Sequence, residues 1–237
     1  MRVAKIAAVF AILALLSFRW ISTDDGLCKA FIPMTKGSVL TYHDFDKKGK
    51  MTGSQTLEIT NIVTSGTETK IDIHSIFMDK KGESTYESDF TYTCSGDVFK
   101  VSMESQISGQ QMEAYKNMEV EVDAGDLEFP SAMEAGTTLD DAHLKMKITS
   151  EGIQVMTMDI DIVERKVETI ENMTTDAGTF ECFKVSSKSK TKMAFMNIEA
   201  GSIEWFAPNV GVVRSESYDK KGNLQGYRVL ASLKSGK

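Results

Sequence analysis

An all-β fold, a strongly curved antiparallel sheet or barrel made as a meander of hairpins, follows from three features of the sequence. Polar and apolar residues alternate over most of the chain after about residue 36. Tyr86, Ser88, Phe90, Tyr92 and Cys94 share one phase, and Glu87, Asp89, Thr91 and Thr93 share the other, which is the pattern of a half-buried strand. The tetrapeptide Asp-Lys-Lys-Gly recurs as Asp46-Lys47-Lys48-Gly49, Asp79-Lys80-Lys81-Gly82 and Asp219-Lys220-Lys221-Gly222. Aspartate opens a type I turn by accepting forward backbone bonds, and glycine takes the left-handed position that follows, so each copy reads as a hairpin tip. Hairpins this dense leave no room for the crossover helices of a parallel sheet.

From the amino terminus, Arg2 and Lys5 precede the apolar run Ile6 to Phe18, which stops at Arg19. This order is that of a secretory signal, and the run falls short of the about 20 residues needed to span a bilayer as a helix. Residues 1–27 are therefore expected to be a leader and residues 28–235 a single antiparallel domain. Within it, Ile71, Ile73 and Phe77 alternate with Lys70, Asp72 and His74, Met118, Val120 and Val122 with Glu119, Glu121 and Asp123, and Leu144, Met146 and Ile148 with His143, Lys145 and Lys147. Near the end, Tyr227, Val229, Ala231 and Leu233 alternate with Arg228 and Lys234. The apolar phase flips between Val155 and Met156, which predicts a β-bulge or a strand that bends across a barrel corner. Gln106 to Asn117 is polar and predicts a short helix around Met112 and Tyr115. Asp123 to Ala142 contains Gly125, Pro130 and Gly136 and holds no period, so it predicts a long loop that caps the sheet.

Of the 237 residues 26% are charged and 41% hydrophobic, which fits a globular domain. The formal net charge of −7, with scattered lysines, argues against nucleic acid as a partner, because a phosphate backbone requires a compensating basic patch. Phosphate loops, nucleophile elbows, dinucleotide fingerprints and zinc-protease helices do not occur in the sequence. His43, His74 and His143 lie far apart, without the paired spacing of metal ligands. No catalytic set, metal or cofactor is expected, and the chain is read as a non-enzyme.

Fourteen methionines stand out, several at strand positions. Methionine fills irregular cores and also lines adaptable apolar pockets. Met146, Met158 and Met193, with Trp205, are the candidate lining of an apolar ligand site covered by Asp123 to Ala142. An exported chain meets an oxidising compartment, where thiols pair. Three cysteines permit three pairings; Cys28 with Cys94 is the expected one, since it ties down the start of the domain, and Cys182 is then a buried free thiol.

Several segments together resemble the TapB-like family of exported bacterial proteins of unknown function. They are Cys28 with Pro33 and Gly37, Tyr42 to Gly49, Cys94 with Gly96, Phe129-Pro130 with Gly136, Leu139 and Asp141, Gly178 to Cys182, and Trp205-Phe206-Ala207-Pro208 running to Gly211-Val212-Val213-Arg214. The resemblance implies a β domain of the periplasm or envelope, similar to the curved sheets of lipoprotein carriers, with no catalytic residues to carry over. The expected function is a noncatalytic carrier for a lipid or other apolar small molecule. The competing expectation is an assembly protein that engages an envelope protein partner through a sheet edge or loop.

Overall fold

The computed structural model describes residues 28–107 and 114–236. The expected leader, residues 1–27, and Met112 of the expected helix lie outside them. Among the described residues there are thirteen strands: β1 (Val39–Asp46), β2 (Met51–Ser65), β3 (Glu68–Asp79), β4 (Ser84–Ser95), β5 (Val98–Ser102), β6 (Glu119–Ala124), β7 (Asp126–Pro130), β8 (Ala142–Ser150), β9 (Ile153–Thr175), β10 (Gly178–Met193), β11 (Met196–Ala207), β12 (Gly211–Asp219) and β13 (Leu224–Lys234). They form one antiparallel sheet in the order β6-β8-β9-β10-β11-β12-β13-β1-β2-β3-β4-β5-β7. Most neighbours in space are neighbours in sequence, and β13 pairs with β1 to join the two ends of the chain.

The two edge strands explain the curvature. β6 and β7 lie on opposite edges of the sheet, yet Gly125 alone separates them in sequence. The edges are thereby brought together and the sheet curls nearly into a barrel. At this seam the Gly125 N–H donates to the His143 carbonyl at 2.8 Å, and its own carbonyl accepts from Met103 N–H at 3.1 Å. A Cβ at Gly125 would stand 3.3 Å from the His143 oxygen, so the crossing favours a residue without one.

The three repeated turns are built alike. In each, the aspartate Oδ1 accepts from two backbone N–H groups: those of Lys48 and Lys50 on Asp46, Lys81 and Glu83 on Asp79, and Lys221 and Asn223 on Asp219. Gly49, Gly82 and Gly222 hold φ of +75°, +83° and +79°. The predicted bulge is also present: Ile148 pairs with Met156 and Thr149 with Gln154, which leaves Val155 over.

One expectation needs correction. The segment Asp123 to Ala142 is not one long loop, because Asp126–Pro130 is strand β7, paired with β5, and Thr138 bridges to Lys166. Leu127 and Phe129 do alternate with Asp126 and Glu128, but over too few residues to stand out beside Gly125 and Pro130. Met103–Gln106 is a 3-10 turn; of the helix expected around Met112 and Tyr115, residues 108–113 lie outside the described residues, Ala114 is helical, and Tyr115 lies in the turn that follows, its carbonyl accepting from Met118 N–H at 2.9 Å.

One end of the barrel is plugged by the chain's own segment 28–33. Cys28 is bonded to Cys94 with Cα atoms 5.6 Å apart, Lys29 N–H donates to Ser131 Oγ at 2.8 Å, and the Ala30 carbonyl accepts from Asn209 N–H at 2.7 Å. Between these ties Phe31 enters a ring cluster with Phe99, Phe129, Phe183 and Phe206, at centroid distances of 5.6 to 6.0 Å. Buried aromatic clusters of this kind add edge-to-face attraction to their large apolar area. Met133 and Leu139, also buried, bring residues 131–139 into the same cover.

Candidate functional site: a cavity in the barrel

Beyond the plug the interior is not filled. A cavity of about 380 Å³ runs from Phe31 and Ile32 to Phe45, Ser217 and Tyr227, beside the turns opened by Asp46 and Asp219. Its apolar lining includes Leu40, Leu57, Val101, Leu127, Phe129 and Phe206, and its polar lining Asp44, Gln55, Glu204, Ser215 and Arg228. The two sets share strands: Asp44 on β1, Gln55 on β2 and Glu204 on β11 lie nearer the end of the Asp46 and Asp219 turns than Leu40, Leu57 and Phe206, so the cavity is apolar toward the plug and polar toward those turns.

The polar end is built across strands. Leu40, Tyr42 and Asp44 alternate in one phase of β1, so a carboxylate continues an inward apolar row. Across the β1–β13 pair Asp44 lies opposite Arg228. The guanidinium donates from Nε to Asp44 Oδ1 at 2.6 Å and from NH2 to Oδ2 at 2.9 Å, a fork-on-carboxylate pair. Its NH1 donates to Gln55 Oε1, and Gln55 Nε2 donates to the buried Ser75 hydroxyl at 2.8 Å. Tyr42 and Tyr92 also line the cavity and keep neutral O–H groups: burial raises both phenols, Tyr92 to about 12.

Glu204 enters from β11. Burial pushes its carboxyl above the usual range, while Arg165, Arg228 and a hydrogen bond with Ser215 pull the other way. Glu204 nevertheless lines the cavity space, so its polar end faces the hollow from deep inside the barrel. Arg165 is only 2% exposed and reaches its place through a bulge. Ser186 pairs with Lys166 and Lys188 with Val163, so β9 carries an extra residue there, and Glu164 takes φ of +53°. The bulge reverses the phase of β9, turning Arg165 inward where alternation from Met158 would have placed Glu164. Arg165 then donates to the backbone carbonyls of Asp140 at 2.6 Å and Glu128 at 3.2 Å, bracing the seam beside β7. Burial lowers its pKa to about 10, against the pull of Glu204, Asp140, Asp141 and Glu128, so it stays a cation at neutral pH.

The sequence-selected lining residues lie elsewhere. Met146 pairs with Met158 and Met158 with Met193, a cross-strand row packed into the core and absent from the cavity lining. Trp205 is on the other face of β11 from Glu204 and Phe206, in a small cluster with Cys182, Ala207 and Val213. Its Nε1–H donates to Glu171 Oε1 at 2.7 Å, and the Lys184 ammonium sits 5.3 Å from its ring. Cys182 is free and buried there, its thiol pushed by burial up to about 11. His74 and His143 are held by Asp89 and Asp161, at 2.8 and 2.7 Å. Sequence reasoning missed Asp44, Arg165, Glu204 and Arg228. The available signal was a charge in an otherwise apolar phase, legible at Asp44 and hidden at Arg165 by the bulge.

Fold and cavity define the class: a nearly closed antiparallel β-barrel, plugged at one end by its own chain and hollow above the plug. The chain belongs to the DUF3108-like family, whose model matches residues 35–230. It is similar to the crystal structure of a proposed exported protein with a YmcC-like fold from Bacteroides fragilis, at 26% identity and a TM-score of 0.76, over 88% of this chain and 100% of that one. It is likewise similar to a proposed lipoprotein from Parabacteroides distasonis, at 26% identity and a TM-score of 0.77, over 87% of this chain and 99% of that one. No curated protein matches the chain.

Proposed function

We propose that the protein is an exported, noncatalytic binding or carrier module of the cell envelope, and that the barrel cavity takes an amphiphile with its chain toward the apolar plug end and its polar group toward Glu204 and Arg228. The carrying observation is a hollow with an apolar end and a polar end. Its volume of about 380 Å³ falls in the range of small-molecule sites, roughly 300 to 1,000 Å³, which combine apolar lining with a few placed polar groups. The noncatalytic reading is supported by the engagement of the polar groups with one another, Arg228 with Asp44 and Gln55. Export and the envelope are supported by the Arg2 to Arg19 pattern and by the descriptions of the two structural relatives. The narrower TapB-like kinship belongs to the same reading. An assembly role through a sheet edge draws less support, because the edge strands β6 and β7 are short and meet at Gly125.

Native mass spectrometry of protein purified from its own envelope, followed by titration with fatty acids and phospholipids, tests the reading. The expected result is a retained or titratable amphiphile lost in Leu57→Trp, which fills the hollow. An empty protein that binds no amphiphile at micromolar concentration would overturn it.

A further inference from the structure

Five hairpin tips share one end of the barrel, because the turns after β8, β10, β12, β1 and β3 all follow strands running in the same direction through the continuous antiparallel order. The tips rise steadily around the sheet. Gly53 is level with Asp79, Asp46 with Gly226, Ala200 with Asp219 and Met193 with Met158, a stagger that tilted barrel strands convert into a single rim.

The chemistry of this rim is divided. Its β10–β11 tip is apolar and bare, and the β8–β9 tip, whose turn also carries the exposed Glu151, adds apolar residues beside it: Phe195 is 103% exposed and Ile153 70%, with Val155, Met196 and Ile198 exposed as well. Soluble surfaces seldom gather so many large apolar side chains unless something covers them. The turn at Phe195 is also poorly suited to a mere connection, since Ala194 holds φ of +49° where glycine or asparagine is the usual choice. The three neighbouring tips present Lys47, Lys48, Lys80, Lys81, Lys220 and Lys221, all exposed. The aspartate that opens each of these turns is bonded to backbone N–H groups, which keep it ionised, and Glu83 is exposed after the second turn, so the six turn lysines outnumber these four carboxylates. The chain as a whole carries a net charge of −7, so this concentration of cations runs against its average. Turns at the other end, Gly66-Thr67, Gly96-Asp97, Asp176-Ala177 and Pro208-Asn209-Val210, contain no lysine.

We propose that this rim docks the protein on an anionic lipid bilayer, with Phe195, Met196 and Ile153 entering the interface and the lysine tips resting on the headgroups. An apolar wedge flanked by cations is the pairing that interfacial binding requires: buried apolar area for hold, positive charge for attraction to anionic lipid. The plug closes the opposite end of the cavity, so docking turns the tip end, with Phe45, Ser217 and Tyr227, toward the lipid. The proposal stands on the tips and does not require a ligand in the cavity.

Vesicle cosedimentation of the purified protein tests it, comparing phosphatidylcholine alone with equal parts phosphatidylcholine and phosphatidylglycerol. Parent and variants share the same amino terminus, so their difference reports the tips. Partition is expected to favour the phosphatidylglycerol vesicles, to weaken with added salt, and to fall about tenfold in Phe195→Ser/Met196→Ser and in Lys220→Glu/Lys221→Glu. Phe195→Trp should add a tryptophan emission that shifts blue on binding and is quenched by brominated lipid. Equal binding by parent and tip variants, each with an unchanged thermal midpoint, would overturn the proposal. So would a Phe195-dependent dimer in solution, which would give the patch to a second copy. Leu57→Trp separates the two readings, since it should abolish ligand uptake and leave vesicle binding intact.

Discussion

The interior has two halves that differ in how they use the same barrel. Under β8, β9 and β10 the space is filled by Leu144, Met146, Ile148 and Met158, all buried, with the Met103–Gln106 turn lying against β8 and β6. Under β1, β2, β11, β12 and β13 a hollow of about 380 Å³ remains. Flexible methionines adapt to one another across neighbouring strands and leave no room. Rigid rings and paired charges keep the other half open, because Arg228 locked to Asp44 and Gln55 has no freedom to collapse into the gap. Abundance of methionine thus marks the filled half of this protein rather than its hollow half.

The largest expected effect comes where the halves meet. Phe31 both closes the cavity and centres the aromatic cluster, so Phe31→Ala should cost about 3 to 5 kcal/mol and lower the urea midpoint. A cost below about 1 kcal/mol would show that the plug is not part of the core. Next, Met146→Ala in the filled half should cost roughly 2 to 5 kcal/mol. Leu57→Ala, already bordered by empty space, should cost less, because fewer contacts are lost. Equal urea midpoints for these two variants would break the comparison.

Glu204 sharpens it through pH. Its folded carboxyl sits above the ordinary value, so between the ordinary carboxylate range and the raised one the folded state holds the proton more tightly than the unfolded state. Stability should therefore fall as pH rises through that window and be fully present below it. In Glu204→Gln that slope should vanish, as read from thermal midpoints across pH. The smallest effect is kinetic. Burial holds the Cys182 thiol up to about 11, so alkylation of the folded protein at pH 8 should be much slower than in urea; equal rates would mean the outer Trp205 cluster opens readily.

Most strands were legible because alternation is a local property: each strand writes its own two faces, and each Asp-Lys-Lys-Gly turn sets its own hydrogen bonds. β7 was not legible, since five residues interrupted by turn formers carry too little period. The candidate site was legible only in part. Cys28 and Cys94 are drawn together by the plug that they tether, and Asp44 shows itself as a charge in an apolar row. The methionines at positions 146, 158 and 193 were recognised as an inward group, but whether such a group fills a space or borders one depends on what lies opposite.

By itself, then, the sequence determined the antiparallel class, the three tight lysine tips and the bulge at Val155, all of which depend on residues close along the chain. Only the tertiary structure decided which face of β11 turns inward. Alternation says that Glu204 and Phe206 oppose Trp205, and apolar character alone would have turned the tryptophan toward the interior of the barrel. The barrel instead takes in Glu204, beside Arg165 and Arg228 from strands far apart in sequence, and buries Trp205 in the outer cluster, where it pairs with Glu171. A buried charge is stable only beside its partners, and those partners are assembled by curvature, the seam at Gly125 and the phase reversal at Glu164, none of which a local pattern contains.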